Sequence, residues 1–318
     1  MGFARAVALD AGPLERWLAA GYAADMEWMS RRLPERLDPT KVLAGAATVV
    51  ALAIGYRRPA EERGRSVVAG YARGRDYHYA HRDRMRALRR RLLALDPGIE
   101  TYACVDTGVA MEKPWAERAG LGWIGKNGCL INPRFGSSLT LSVMFLDREV
   151  DAYDDAHENL CGECTRCLRA CPTRAFPAPG VVDARRCISY QSIENRAEVP
   201  VTLRPGFRGR VFGCDVCQDV CPFNQSDGIP TGDPRFQPRP IGLMSPAAVA
   251  ALSRPEFDRL AAGTALVRAQ YDGIRRNALL ALGAAREVAA REVVERLTAD
   301  PSPVVREAAI WALGRIAR

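Results

Sequence analysis

Eight of the ten cysteines are spaced so that their thiolates could bind metal. Residues 161–172 read C-x2-C-x2-C-x3-C-P, residues 214–222 read C-x2-C-x3-C-P, and Cys187 stands alone between the two runs. Thiolates at such short, repeated intervals are typical ligands of iron–sulfur clusters, and four cysteines hold one [4Fe–4S] cluster. The eight cysteines therefore match two clusters, with no ligand missing and none left over.

The first run matches the bacterial ferredoxin signature, in which three cysteines bind one cluster and the fourth binds the other cluster. The second run lacks its leading cysteine, and Cys187 is placed to supply it. We therefore predict two ligand sets, which are Cys161, Cys164, Cys167 and Cys221 for one cluster and Cys171, Cys187, Cys214 and Cys217 for the other.

Two other uses of these cysteines fit the spacing less well. A structural zinc site takes four ligands, and the third C-x2 step and both C-x3-C-P endings exceed that need. A disulfide framework suits a small secreted domain, whereas this chain has 318 residues and we expect no signal peptide. Cys104 and Cys129 stand beside apolar residues, so we expect them to be buried packing rather than ligands.

The composition is basic, with a formal net charge of +8 that is carried almost entirely by arginine. This balance suits a polyanionic partner such as nucleic acid, and it suits an arginine-rich proteome equally well. The longest apolar stretch, residues 42–56, is too short for a membrane helix, so we expect no membrane partner. Oxygen-sensitive clusters and unpaired thiols predict a cytoplasmic protein.

The N-terminal half of the chain mixes strand and helix patterns. Apolar runs predict strands over 48–55, 101–105 and 139–146, and the first of these is apolar enough to be covered on both faces. Helical periodicity covers 14–28, and residues 83–96 form an amphipathic pattern with a basic face. Strands that alternate with helices predict an α/β sandwich.

A glycine-rich segment, residues 120–128, lies between two of these strands and marks a place where the backbone approaches something closely. Residues 120–125 also fit the G-x-G-x-x-G pattern of dinucleotide-binding sites. That fingerprint should follow a strand and open a helix, whereas here a helical stretch precedes it and Gly128 interrupts the residues after it. We therefore do not expect a nicotinamide cofactor.

The C-terminal part contains an internal repeat. After a stretch rich in proline, glycine and aspartate, residues 275–283 match residues 306–314, which start 31 positions later. This is the helix-pair pattern of HEAT-like repeats. Two copies bury little apolar surface alone, so we expect them to dock on the rest of the protein, either as a binding arm or as a helical cap.

In combination, these motifs resemble the epoxyqueuosine reductases, which are cobalamin-dependent iron–sulfur enzymes of tRNA modification related to reductive dehalogenases. The match runs nearly end to end and in the family's order. It consists of MEWMSRR (26–32), GYARGRDYH (70–78), VDTG (105–108), EKPWAERAGLGWIGKN (112–127), both cysteine runs, DARRCISYQSIE (183–194) and GCDVCQDVCPFN (213–224).

The resemblance implies the fold class and the domain order. We expect an α/β cobalamin-binding domain at 1–157, a ferredoxin-like module with two [4Fe–4S] clusters at 158–228, a linker at 229–246, and α-helical HEAT-like repeats at 247–318. The chain departs from the family in a short N-terminus and in a missing proline after Asp106, where VDTGVAME replaces VDTAPVLE.

The resemblance also implies roles for single residues. Asp106 matches the proposed proton donor and is also implied to contact the cofactor. Residues implied to contact the corrin are Arg31, Leu130 and Leu141 from the first domain and Ser189, Cys214 and Asp215 from the cluster module. The cluster held by Cys171, Cys187, Cys214 and Cys217 would then lie nearest the cobalt. His78 and His81 are expected to be surface or substrate contacts rather than metal ligands.

The activity implied is the two-electron removal of the epoxide oxygen from epoxyqueuosine at the wobble position of tRNA. Arg185, Arg186 and the basic helix 84–91 are candidates for tRNA contact, and a solvated charged surface is the competing explanation. An external low-potential electron donor and a monomeric state are expected. The alternatives are a corrinoid reductase of another small substrate, such as an organohalide, and a non-catalytic electron-transfer adaptor.

Overall fold

The computed structural model describes residues 1–57, 67–225 and 231–316. Its strands are β1 (Gly2–Arg5), β2 (Thr48–Gly55), β3 (Thr101–Cys104), β4 (Trp123–Ile124), β5 (Leu130–Ile131) and β6 (Leu139–Leu146). Its α-helices are α1 (Gly12–Ala19), α2 (Leu33–Leu37), α3 (Tyr77–Leu95), α4 (Glu112–Arg118), α5 (Arg166–Ala170), α6 (Ile188–Ile193), α7 (Val216–Asp219), α8 (Pro222–Gln225), α9 (Pro240–Leu243), α10 (Pro246–Ala250), α11 (Arg254–Ala261), α12 (Tyr271–Ala285), α13 (Arg291–Leu297) and α14 (Pro303–Ile316). The end of the predicted cluster module and the start of the predicted linker fall on 226–230, outside the described residues.

The first domain contains a four-stranded antiparallel sheet with the order β1-β2-β6-β3. The central strands β2 and β6 pair along their full length, from Thr48 opposite Leu146 to Gly55 opposite Leu139. The strand predicted at 101–105 ends one residue early, and the short edge strand β1 was not predicted, because four residues give too little periodicity.

Both faces of this sheet are covered, as the apolar sequence of β2 predicts. Val49 and Ala51 point to one face and pack with Trp115 of α4. Val50, one position on, points to the opposite face and packs with Met85 of α3. Successive side chains of a strand alternate between faces, so a continuous apolar run is required when helices lie on both sides. The α/β class is confirmed.

Two helix predictions need correction at their ends. Helix α3 begins at Tyr77, earlier than expected, because the Asp76 carboxylate accepts a hydrogen bond from the His78 N–H at 3.0 Å and caps the helix. Helix α1 ends at Ala19 rather than continuing to residue 28, and Gly21 follows it with a φ of +68°. No helix in the described ranges is long and apolar enough to cross a membrane.

The internal repeat corresponds to α12 and α14, which pack against each other. Gly283 permits this approach, because a Cβ atom there would lie 2.6 Å from the Trp311 ring. Helix α12 is almost entirely buried, and its core is continuous with Ile188 and Phe207 of the cluster module. The HEAT-like repeat is confirmed, and it is docked on the cluster module as expected.

Polar contacts reinforce this docking. The buried guanidinium of Arg276 donates hydrogen bonds to the backbone carbonyls of Gln191, Asn195 and Ala197 at 2.7, 2.9 and 2.5 Å. The neighbouring Asn277 amide donates to the carbonyl of Ser192 at 2.7 Å. Burial lowers the pKa of Arg276 to about 10, which leaves it charged at neutral pH.

Candidate active site

Eight thiols fall into two groups of four, and a ninth, Cys129, is hydrogen-bonded to Cys217 of the second group. Cys167 and Cys221 each interact electrostatically with the thiols of Cys161 and Cys164. A second set of interactions joins Cys187 with Cys171, Cys214 with Cys187, and Cys217 with both Cys187 and Cys214. These groups coincide with the two ligand sets predicted from the spacing.

The surroundings of these thiols suit metal clusters. Burial raises the pKa of Cys214 to about 11, so a bound metal has to replace its proton. Among the described residues, no group of three or more Cys, His, Asp or Glu side chains is arranged to hold one metal ion.

Two N–H groups are directed at the cysteine sulfurs. The buried Trp123 indole donates to Cys161 Sγ, and the Ala175 backbone N–H donates to Cys171 Sγ, both at 3.3 Å. Hydrogen bonds to cluster sulfurs are one means by which a protein sets reduction potential. The tryptophan of the glycine-rich segment therefore contacts the first group of thiols.

The rest of that segment holds the cluster module against the first domain. Strands β4 and β5 form a hairpin, and Gly122 has a φ of +152° there, where a Cβ would lie 2.0 Å from the Ile131 carbonyl oxygen. Lys126 Nζ donates to the Gly162 carbonyl at 2.5 Å. The segment is a tight docking hairpin rather than a strand-to-helix turn, which agrees with rejecting the dinucleotide fingerprint.

A cavity of about 260 Å³ lies between the first domain and the cluster module. Its lining combines apolar surface with hydroxyl, amide and charged groups. Gln218 enters it from the cluster module, one residue after Cys217, and accepts a hydrogen bond from the Ser137 hydroxyl at 2.9 Å. The other lining residues are Tyr56, Tyr71, Tyr77, Asp106, Glu112, Lys113, Cys129, Leu130, Leu139, Thr140 and Leu141.

Of the residues predicted to surround a corrin, Asp106, Leu130 and Leu141 line this cavity. Cys214 and Asp215 instead line a smaller neighbouring cavity of about 30 Å³. The Asp215 carboxylate is buried and accepts the Gly70 N–H at 2.7 Å, and burial raises its pKa.

The two other predicted corrin contacts lie outside the lining of the 260 Å³ cavity. Arg31 is exposed and forms an ion pair with Glu27 at 2.7 Å. Ser189 is half-buried at the start of α6, where its carbonyl accepts a hydrogen bond from the Ser192 hydroxyl at 3.2 Å.

Asp106 stands at the edge of the cavity, on the loop between β3 and α4. Its φ of +50° is unusual for a residue with a side chain, although aspartate adopts it more readily than most. Its carboxylate lies 3.0 Å from Arg268 Nη1 and 3.7 Å from His78 Nε2, and it is hydrogen-bonded to Tyr77. Burial and the Asp106 charge raise the pKa of Tyr77, so its hydroxyl stays protonated and donates this bond.

Arg268 and Glu112 hold Asp106 in place, and neither was predicted from the sequence as a site residue. Arg268 comes from the C-terminal helical region and also pairs with Glu194 at 2.6 Å. Glu112 accepts the backbone N–H of Asp106 at 2.6 Å, and burial, followed by the Asp106 charge, raises its pKa to about 7. Glu112 belongs to a quoted motif and could have been singled out, whereas no local signal connects Arg268 with Asp106.

The histidines at 78 and 81 point to different surroundings. His78 Nδ1 lies 2.7 Å from the Asp76 carboxylate, next to Asp106. His81 is fully buried between the hydroxyls of Ser142 and Thr140 at 2.6 and 2.9 Å, and burial lowers its pKa to about 4. The expectation of a surface or substrate contact is therefore wrong for His81, because it is fully buried in the first domain.

The two arginines predicted to touch RNA already have protein partners. Arg185 binds the Asp183 carboxylate with two N–H groups at 2.9 Å, and its guanidinium lies 5.4 Å from the Tyr22 ring. Arg186 Nε donates to the Thr173 carbonyl at 3.0 Å.

Comparison with known families agrees with this architecture. Residues 160–224 match the model of a 4Fe-4S double cluster binding domain, residues 36–107 match the model for epoxyqueuosine reductase QueG, DUF1730, and residues 261–318 match HEAT repeats. Cys104 and Cys129 lie outside the double-cluster match. The chain is thus an oxidoreductase that carries two [4Fe–4S] clusters.

Full-length relatives narrow the class to one family. The chain is 45% identical to the epoxyqueuosine reductase of Gloeobacter violaceus over 89% of this chain and 91% of that protein. It is 39% identical to the epoxyqueuosine reductase of Pseudomonas aeruginosa over 95% of this chain and 86% of that protein. The chain belongs to the epoxyqueuosine reductase family.

Solved structures share the whole fold. A crystal structure of epoxyqueuosine reductase with an epoxyqueuosine-modified tRNA-Tyr stem loop superposes with a TM-score of 0.90 at 31% identity, over 100% of this chain and 86% of that chain. A structure of the Bacillus subtilis epoxyqueuosine reductase with its catalytic loop swung out of the active site superposes with a TM-score of 0.90. The identity is 31%, over 99% of this chain and 86% of that chain.

Proposed function

We propose that this chain reduces epoxyqueuosine to queuosine at the wobble position of tRNA. The observation that carries the proposal is the cavity between the two domains, with Asp106 at its edge and the Cys171–Cys187–Cys214–Cys217 group behind Gln218. Asp106 therefore borders the same cavity as Gln218, the residue next to the cluster cysteine Cys217. Family membership supplies the substrate class.

The reaction balances with two electrons and two protons. The epoxide loses its oxygen as water, and the two ring carbons that carried it become an alkene. No side chain of the protein supplies electrons at low potential, so the electrons enter one at a time from an external low-potential donor through the iron–sulfur clusters. The protein has to deliver protons and exclude bulk water.

Cobalamin is larger than this cavity of about 260 Å³, and the residues that line the cavity would contact one part of the cofactor. Leu130, Leu139 and Leu141 offer apolar surface to a macrocycle, and Ser137, Thr140 and Gln218 offer hydrogen bonds to its peripheral amides. Arg31, Ser189, Cys214 and Asp215 are proposed as further contacts at its periphery. Bound cobalamin supplies a cobalt centre that can be reduced to a strong nucleophile. Among the described residues, none of those that line the cavity is a histidine, so the cavity lining offers no imidazole to the cobalt.

The cluster assignment follows the thiol groups. Cys161, Cys164, Cys167 and Cys221 hold the cluster farther from the cavity, and Cys171, Cys187, Cys214 and Cys217 hold the nearer one. Two contacts support a position near the cavity for this second cluster. Gln218, which lines the cavity, adjoins Cys217, and the cavity residue Cys129 is hydrogen-bonded to the Cys217 thiol.

Asp106 is proposed as the acid that protonates the epoxide oxygen as its carbon–oxygen bond breaks. Its carboxyl group is engaged by Arg268 at 3.0 Å in this structure. The acid therefore has to exchange this partner for substrate. A relative whose catalytic loop is swung out of its active site supports a loop that moves.

We further propose a monomer that acts on tRNA in the cytoplasm, with Arg185 and Arg186 among its RNA contacts. Support for the RNA partner comes from a relative of the same fold solved with a tRNA stem loop. The two guanidiniums are partly engaged by Asp183 and Thr173, so their contribution would be local positioning.

The test is a nucleoside assay. Cluster-loaded protein, cobalamin and a chemical reductant are incubated anaerobically with tRNA from a strain that accumulates epoxyqueuosine, and the digested nucleosides are measured by mass spectrometry. Conversion of epoxyqueuosine to queuosine is expected only when all three components are present. Unchanged epoxyqueuosine with fully loaded protein would reject the proposed activity.

A further inference from the structure

A second groove lies on the other side of the Asp106 loop. It has a volume of about 630 Å³ and runs between α3 and β3, and Val105, Thr107 and Gly108 of the loop form one end of it. Cavities of this size accommodate ligands as large as a nucleotide. Nothing in the reaction described above uses this groove.

One wall of the groove is a stripe of cations. His78, Arg82, Arg86 and Arg89 all line it, and their spacing of four, four and three residues puts them on one face of α3. The stripe is about 16 Å long at 1.5 Å per residue. It starts at the histidine beside Asp106 and leads away from the active site.

The three arginines of this stripe form no ion pair with any described carboxylate. Other charged groups of the same helix are paired, since Arg84 lies 2.8 Å from Asp233 and Asp83 lies 2.6 Å from Arg235. Asp76 is the acidic residue that lines the groove; it is bound to His78 at 2.7 Å and also interacts electrostatically with Arg82. Arg82 Nε donates to the His78 carbonyl at 3.3 Å, and Arg89 Nε donates to the Thr101 hydroxyl at 3.2 Å. One carboxylate therefore faces three guanidiniums, and this wall of the groove keeps a positive charge.

The aromatic rings of the groove are already occupied. Arg75 and Arg82 lie over the Tyr79 ring at 4.3 and 4.9 Å, and Tyr102 stacks on Phe145 with ring centroids 5.9 Å apart. These contacts leave little ring surface for a base to stack on. The floor is neutral, because burial raises the pKa of Cys104 to about 12.

We propose that this groove binds the phosphodiester backbone of the single-stranded RNA next to the nucleotide that enters the active site. The inference rests on the proposed function. Unpaired arginines without free aromatic surface suit phosphate rather than base recognition, and such contacts position RNA without reading its sequence. By holding the backbone, the stripe of cations determines which nucleotide of the strand reaches Asp106.

The experiment compares two double variants that each remove two exposed arginines. Arg82→Gln/Arg86→Gln removes two groove cations, and Arg259→Gln/Arg296→Gln removes two exposed cations of the C-terminal helices, which do not line the groove. Binding of an anticodon stem-loop RNA is measured against salt concentration. The groove variant should reduce the slope of log Kd against log salt by roughly 1.4, at about 0.7 for each single-strand phosphate contact, and the control should leave it unchanged.

Turnover separates this inference from the proposed function. The groove variant should raise KM for tRNA about tenfold or more and leave kcat at saturating tRNA near the wild-type value. Equal losses in both double variants would show diffuse attraction, and no loss in the groove variant would show that the groove is not used; either result overturns the inference. Wild-type protein that does not convert epoxyqueuosine would instead reject the proposed function.

Discussion

The Arg268 guanidinium lies 3.0 Å from the Asp106 carboxylate, although the two residues are 162 positions apart. Arg268 belongs to a short 3-10 helix, Ala265–Ala269, which precedes the buried helix α12. The C-terminal helical region therefore contributes a side chain to the candidate active site. Its core is continuous with that of the cluster module, which agrees with the expected docking, and its use as a binding arm or as a helical cap stays a prediction.

The first prediction concerns the lone cysteine between the two runs. Cys187→Ala should lose about four irons of roughly eight and retain the other cluster, because each cluster needs its own four thiolates. Iron analysis and the visible absorption spectrum of anaerobically purified protein check this. Cys104→Ala is the matched control, since Cys104 lies in neither thiol group, and it should retain all the iron. Loss of a cluster in the control would contradict the assignment.

How far the sequence predicts this structure depends on how local the signal is. The cysteine grouping could be predicted because each run fixes its ligands within a few residues, with Cys187 as the one distant partner. Strand β2 could be predicted because an unbroken apolar run has few alternatives, and α12 and α14 could be predicted because they repeat.

The cavity contacts were harder to predict because they form between distant segments. Gln218, Arg268 and the three tyrosines meet Asp106 or its cavity only through tertiary packing. The docking of Trp123 on Cys161 is also invisible in the sequence, where the glycines around it signal only that something comes close. Sequence motifs indicate the site, but packing decides which side chains share it.

The second prediction concerns the buried arginine of α12. Arg276→Met should destabilise the protein by roughly 3 kcal/mol, because the carbonyls of Gln191, Asn195 and Ala197 would lose their buried donor. The midpoint of anaerobic thermal unfolding should fall, and protease should release the C-terminal region. Arg291→Met removes an exposed arginine paired with Glu295 and should change little. Equal midpoints for the two variants would refute the docking role.

The third prediction is a pH dependence of stability. Burial raises the pKa of Glu112 to about 7, against about 4.3 in an unfolded chain. Between these values the native state holds a proton that the unfolded state releases, so this residue's contribution makes stability fall as pH rises from about 4.5 to 7.

Glu112→Gln should remove that dependence. The variant should lie within about 1 kcal/mol of wild type near pH 5 and exceed it at pH 8 by at most roughly 4 kcal/mol. Glutamine can still accept the Asp106 N–H, so the loop should keep its conformation. Anaerobic unfolding at both pH values measures the effect, with the exposed Glu295→Gln as control. A wild-type pH dependence that persists in Glu112→Gln would count against the burial of this carboxyl.

The last prediction separates two roles of Asp106, as an acid and as the partner of Arg268. Asp106→Asn should fold, load both clusters and bind cobalamin, because asparagine has nearly the same shape and also tolerates a φ of +50°. If Asp106 donates a proton in the reaction, turnover should fall by roughly two to four orders of magnitude. Asp106→Asn also removes the ion pair with Arg268, so a second variant is needed to separate the two effects.

Arg268→Gln removes the same ion pair and leaves the carboxyl in place. Because the proposed proton donor remains, turnover of this variant should stay within about tenfold of wild type, far above that of Asp106→Asn. If both variants lose activity equally and their combination loses no more, the ion pair rather than the proton is what Asp106 contributes.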